Sequence, residues 1–244
     1  MRVSLRLCIA ISIALMLSQA FAQEIPAGTV LPVMLSTTLD SSRDKPEKEI
    51  KGELMQDVML PSGGEIAQGA KIRGLVVDTS KTATGITMVL RMTRVESKGR
   101  NIAIKVRLLA VASMLEVSQA QLPVNTNAAS DSITNWVTRQ IGGDVVKRGQ
   151  GKVFSSTGVT GTWLQGSSVR IKLWPNPPEG CPAGPGYDDD QAVWLFSSAA
   201  CGEYGLRGLK IDNSAPSTTG DILIRSNKKI KINGGSGWLL MVTH

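Results

Sequence analysis

The sequence predicts an all-β protein: an antiparallel β barrel or sandwich in the N-terminal half, a short connecting helix, and a second small β module tied by a disulfide. Three observations carry that prediction. Apolar and polar residues alternate with period two from Ile25 to about Val111, the pattern of half-buried antiparallel strands. Clusters containing Gly, Pro and Ser punctuate the alternation at short intervals. Beyond residue 150 short strand-like runs return, and the only two cysteines past the first segment, Cys181 and Cys201, lie among them.

The first element is a targeting segment, Met1 to Ala22. Arg2 and Arg6 form a basic start and Cys8 to Leu17 a short apolar run. Ala20-Phe21-Ala22 places small residues at both recognition positions of a signal peptidase. Cleavage there gives a mature chain beginning at Gln23, periplasmic or secreted, with no transmembrane segment left. Gln23 stands where a lipoprotein would need cysteine. The full chain carries 27 basic and 20 acidic residues, a net charge of +7. Losing Arg2 and Arg6 leaves 25 − 20 = +5, spread along the chain. That charge suits contact with an anionic envelope surface and gives no reason to expect nucleic acid.

Residues 23–125 read as the barrel or sandwich domain. Ile50, Gly52, Leu54, Gln56 and Val58 share one face of a candidate strand. Ile86, Met88, Leu90 and Met92 alternate with Thr87, Val89, Arg91 and Thr93; Ile102, Ile104, Val106 and Leu108 alternate with Ala103, Lys105 and Arg107. The breaks fall at Pro61-Ser62-Gly63-Gly64, at Thr79 to Gly85, and at Ser97-Lys98-Gly99-Arg100. The last joins two strongly alternating runs and reads as a tight hairpin.

Residues 126–150 read as a helical linker. Ile133, Trp136, Val137 and Ile141 recur at three- and four-residue spacing after a capping Ser130 or Asp131, and Gly142-Gly143 ends the run. Residues 151–244 form the second β module, with strands expected at Val169 to Trp174, Ala192 to Ser197, Asp221 to Arg225, Lys228 to Ile232 and Trp238 to Val242. The proline-rich stretch Pro175 to Tyr187 excludes regular structure. A Cys181–Cys201 disulfide fits an oxidising compartment, and closing a loop of about 20 residues is worth roughly 3 kcal/mol on the chain-entropy model.

The phrase Ile25-Pro26-Ala27-Gly28-Thr29-Val30-Leu31-Pro32 resembles the opening of the TrbI-like β-barrel domain of type IV secretion and conjugation outer-membrane core proteins. Leu35, Leu39, Asp40 and Ser41 follow at similar spacing. Ile66-Ala67-Gln68-Gly69-Ala70-Lys71-Ile72-Arg73-Gly74 is similar to a second phrase of that family, and the alternating hairpin from Gly85 to Leu108 to a third feature. The resemblance covers about residues 25–109. It implies a β barrel in an envelope setting, but not a channel, because the family's pore-forming helix pair has no counterpart among these phrases. The C-terminal half resembles no family.

The chemistry on offer is sparse. The single histidine is His244, which excludes His-based triads and ordinary His-based metal sites. Asp188, Asp189 and Asp190 form the one dense acidic cluster; as oxygen ligands they are a weak Ca²⁺ candidate without EF-hand spacing, and otherwise a solvated turn. Trp163, Trp174, Tyr187 and Trp238 could present a glycan- or partner-stacking surface, or serve as core bulk like Trp194. Ser226-Asn227-Lys228-Lys229 matches an S-x-x-K phrase but sits in an expected hairpin turn. No cofactor is expected. The reading is an exported, non-enzymatic protein of a bacterial cell envelope with a binding or assembly role, its partner another envelope protein or a polysaccharide. The alternative is a secreted carbohydrate-binding or carbohydrate-active protein that uses the Trp-rich C-terminal module.

Overall fold

The computed structural model describes residues 24–61, 63–122, 136–143, 145–149, 151–155, 158–164, 168–174, 181, 189–213 and 218–243. The expected targeting segment lies outside them. The first nine strands are β1 (Val30–Leu35), β2 (Leu39–Asp40), β3 (Glu49–Leu54), β4 (Val58–Met59), β5 (Glu65–Ile66), β6 (Lys71–Thr82), β7 (Gly85–Ser97), β8 (Arg100–Ala103) and β9 (Lys105–Ala112). Helix α1 (Met114–Gln121) follows. Then come β10 (Trp136–Arg139), β11 (Val145–Gly149), β12 (Lys152–Ser155), β13 (Gly158–Trp163), β14 (Val169–Ile171) and β15 (Gln191–Ala192). The last five are β16 (Gly202–Tyr204), β17 (Leu209–Asp212), β18 (Asp221–Ser226), β19 (Lys231–Ile232) and β20 (Gly237–Thr243). The protein is all-β with one short helix, as the periodicity predicts.

Ten strands form one large sheet, in the order β16-β9-β20-β1-β3-β6-β7-β18-β17 with β8 also paired to β7. The period-two residues point where expected. Ile50, Leu54, Val58, Met88, Leu90, Met92, Ile102, Ile104, Val106 and Leu108 all enter one core. The sheet curls until β9 lies near β7 and β18. Its two end strands, β16 and β17, are not hydrogen-bonded to each other. The architecture is therefore sandwich-like rather than the closed barrel that was the other expectation.

Strands on both sides of the boundary expected at residues 126–150 share this sheet. The last strand, β20, inserts between β1 and β9, with Val33 opposite Trp238 and Leu240 opposite Leu108. A second sheet of six strands runs as a simple meander, β10 to β15. It packs on the outer face of β1, β20 and β9 through Val30, Leu109, Ala110, Leu239 and Met241, which meet Val146, Val153, Val169 and Phe196. These three strands are buried on both faces, and so they read as near-continuous apolar runs such as Trp238-Leu239-Leu240-Met241-Val242.

The helix expected within the linker 126–150 is corrected by the structure. Residues 129–135 lie outside the described residues, but Trp136–Arg139 is strand β10, paired with β11. The physical reason is that the buried positions are polar. Thr138 and Gln140 are almost fully buried while Val137 is partly exposed and Arg139 exposed. Burial has period two, and the apolar residues only mimic a helical spacing. The actual helix lies earlier. Ser113 caps α1 by accepting a hydrogen bond from the Glu116 amide at 3.3 Å, the S-x-x-E arrangement of a helix start.

Candidate functional site

A cleft of about 550 Å³ opens at one end of the large sheet's core. Its construction starts with a β-bulge. Along β6 the inward residues are Ile72, Gly74 and Val76, each paired with a core-facing partner on β7 or beside one. Register then slips between Val76 and Asp78, leaving Val77 unpaired, so that Thr79 faces Met88 and Lys81 faces Ile86. Directly opposed residues share a face of the sheet. The bulge thus turns Thr79 and Lys81 inward and puts the exposed Asp78 and Ser80 outside, a re-aiming that bulges beside functional sites commonly perform.

Two loops complete the mouth. The β6–β7 turn reaches Gly85, whose positive φ of 153° and missing side chain allow close approach to β18. A Cβ there would lie 2.5 Å from the Ser226 carbonyl oxygen. The β18–β19 loop brings Asn227, Lys228 and Lys229, and the turn after β2 brings Ser41 and Ser42. These two loops are clamped: the Ser41 amide donates to the Ile230 carbonyl, and the Ile230 amide donates to Ser41 Oγ, both at 3.0 Å.

The electrostatics of the mouth are one-signed. Lys229 bonds Asp40 at 2.8 Å. That ion pair, with bonds from the hydroxyl and amide of Ser42, holds the Asp40 carboxyl well below the usual carboxylate range. The carboxylate nearest the mouth is therefore fully engaged. Lys81 and Lys228 carry no ion pair among the described residues, and both are exposed. Several cations elsewhere on the sheet are matched, Arg73 to Glu96 and Glu49, Lys71 to Glu53 and Arg91 to Asp221. Lys105, Arg107 and Lys210 share with Lys81 and Lys228 the lack of an ion pair among the described residues. Thr79 Oγ1 is buried at the wall of the cleft without a hydrogen-bond partner. The arrangement offers two free ammonium groups, several hydroxyls and one unused buried hydroxyl. Such a site can hold an anionic, hydroxyl-rich ligand.

The site residues expected from sequence are scattered instead. Trp238 is fully buried in the core of the large sheet and cannot touch a glycan, which corrects its candidacy as a contact residue. Trp163 packs against the second core, with its indole Nε1 buried. Trp174 is exposed at 57% and Tyr187 lies outside the described residues. The three described tryptophans among them thus have different surroundings, Trp238 in the first core, Trp163 against the second and Trp174 exposed. Asp188 also lies outside the described residues. Asp189 and Asp190 border a cavity of only about 60 Å³, where Arg170 donates to the Asp190 carbonyl and brings its own positive charge. Among the described residues no three potential metal ligands cluster. Cys181 and Cys201 are joined by a disulfide, with Cα atoms 6.1 Å apart.

Sequence reading missed the mouth because Thr79 to Gly85 looked like one long turn and Ser226 to Lys229 another. Both do contain turns, but the signal lay in Lys228, which has no ion pair among the described residues, and in the bulge, which no pattern in a single strand reveals. Ser226 Oγ accepts a hydrogen bond from the Lys228 amide in that turn, as expected for a capped loop rather than a nucleophile. No family model, curated protein or solved structure matches the chain.

Proposed function

We propose that this is an exported protein of a bacterial cell envelope that binds a ligand or partner without transforming it. The observation that carries the reading is the cationic, hydroxyl-lined mouth, built on a rigid strand framework by a bulge and two clamped loops. Three further features support it. The N-terminal 22 residues read as a cleavable signal, the disulfide suits an oxidising compartment, and the phrases between Ile25 and Leu109 resemble the TrbI-like β-barrel domain of envelope assemblies. Among the described residues no helix is long and apolar enough to cross a membrane.

Cell fractionation with mass spectrometry of the recovered chain tests the reading. A mature N-terminus at Gln23, in the periplasmic or secreted fraction, and salt-sensitive retention on isolated envelope material are expected. Recovery from the cytoplasm with Met1 intact would overturn it, as would hydrolysis of an envelope polysaccharide or peptidoglycan that one carboxylate-to-amide change abolishes.

A further inference from the structure

We infer that the mouth of the large sheet is a binding site for a phosphorylated sugar, an inference that rests on the binding role proposed above and names its ligand class. Lys81 and Lys228 line the cleft without an ion pair among the described residues and supply two positive charges, matching the charge of a phosphate monoester. The cleft has lysine but no arginine in its lining. Lysine acts on phosphate as a compact point charge, whereas planar carboxylates are favoured by the arginine fork. Beside the lysines the polar lining is the hydroxyls of Ser41, Ser42, Thr79 and Thr82 and the carboxamide of Asn227, a set of neutral donors and acceptors that fits a sugar ring. Thr79 lines the cleft, and the bulge at Val77 turns it to the inner face of the sheet. The volume of about 550 Å³ lies within the range of small-molecule sites and exceeds what a bare anion fills.

The apolar part of the lining is Ala83 and Ile86. Gly85 lets the β6–β7 turn approach the Ser226 backbone, which brings the strand end carrying Lys81 and the loop carrying Lys228 to one cleft.

Calorimetric titration of the full mature chain at low ionic strength tests this, with glucose 6-phosphate, glucose and inorganic phosphate as separate probes. Glucose 6-phosphate should bind, glucose should not bind measurably, and phosphate alone should bind more weakly. The double substitution Lys81→Ala with Lys228→Ala should weaken binding by about tenfold or more. Both lysines are exposed, so the double variant keeps its fold, which circular dichroism checks. Lys98→Ala, at the opposite end of β7, should bind as the parent does. Phosphate binding as tightly as glucose 6-phosphate, glucose binding equally well, or a double variant with unchanged affinity would each overturn the proposal. A chain retained on envelope material that ignores glucose 6-phosphate would sink this inference while leaving the broader binding role intact.

Discussion

The backbone amide of Trp194 donates a hydrogen bond to the side-chain oxygen of Gln56 at 2.6 Å, across 138 residues of chain. The Val169 amide donates to the same oxygen at 3.3 Å. Gln56 leaves the large sheet between β3 and β4, while Val169 and Trp194 belong to the meander side, so one buried carboxamide bolts the two layers together. It also serves an awkward backbone: Trp194 sits at a positive φ of 50°, a conformation costing about 1–2 kcal/mol for a residue with a side chain. Fully buried, Trp194 is held there by its packing in the second core.

Gln56→Met, which keeps the volume but removes the acceptor, should therefore destabilise the protein by about 2–4 kcal/mol, since two buried amides lose their partner. Urea unfolding followed by tryptophan fluorescence measures this. A loss below about 0.5 kcal/mol would show that the joint is held by apolar packing alone.

Acid should destabilise the fold in a defined window. Arg91, bonded to Asp221 at 2.7 Å, holds that carboxyl below its usual range. Lys51 lowers Glu49; at Glu96 burial acts to raise the value, but Arg73 and Arg94 outweigh it and lower it. Groups whose folded values are depressed contribute stability that is fully present above their unfolded values, near pH 4, and lost as pH falls through the folded values. Stability should be flat on this account from about pH 5 to 8 and decline below about pH 4. Asp221→Asn should flatten that acid limb, as read from denaturation midpoints across pH; an unchanged limb would remove Asp221 from the account.

The β7–β8 hairpin turns through Lys98 and Gly99, both with positive φ, at 49° and 74°. This is a two-residue turn of the mirror-image kind whose first position favours Asn or Gly over lysine. Lys98→Asn should stabilise the protein by a few tenths up to about 1 kcal/mol, and Gly99→Ala should cost about 1 kcal/mol. Thermal unfolding of the pair measures both, and opposite signs would refute the turn assignment.

The strands that bury one face were legible because their side chains obey a simple alternation: Ile50 to Val58, Ile86 to Met92 and Ile102 to Leu108 reach the core they predict. What sequence could not show was pairing between distant segments. Nothing local in Gly237–Thr243 says that it lies between β1 and β9. Polar residues in buried positions misled as well. Thr138 and Gln140 face inward on β10, with Gln140 donating to the Phe196 carbonyl at 3.2 Å, and so the hydrophobic pattern there pointed to a helix. The candidate site was hidden for a third reason. Its lysines come from segments 147 residues apart, Lys81 on a strand and Lys228 in a loop, and one unpaired residue at Val77 decides which way Thr79 and Lys81 face.

The Cys181–Cys201 disulfide is reinforced at its Cys201 end. Tyr204 folds back so that its hydroxyl donates to the Cys201 carbonyl at 2.9 Å and accepts from the Cys201 amide at 3.0 Å. That places Cys201 in a closed loop held independently of its sulfur, next to β16, which pairs with β9 of the large sheet. Burial pushes the Tyr204 phenol up, so it stays protonated and able to donate through the physiological range. Reduction should therefore free the Cys181 side without unfolding the protein. The reduced chain should keep its strand signature by circular dichroism and lose about 2–4 kcal/mol, the loop-entropy value for a separation of 20 residues. Tyr204→Phe should cost about 1–2 kcal/mol in the oxidised protein, where the cross-link still restrains Cys201, and more once the disulfide is reduced. Calorimetry of both proteins with and without reductant gives the full cycle. Costs that simply add would mean that the hydroxyl and the disulfide do not hold the same loop.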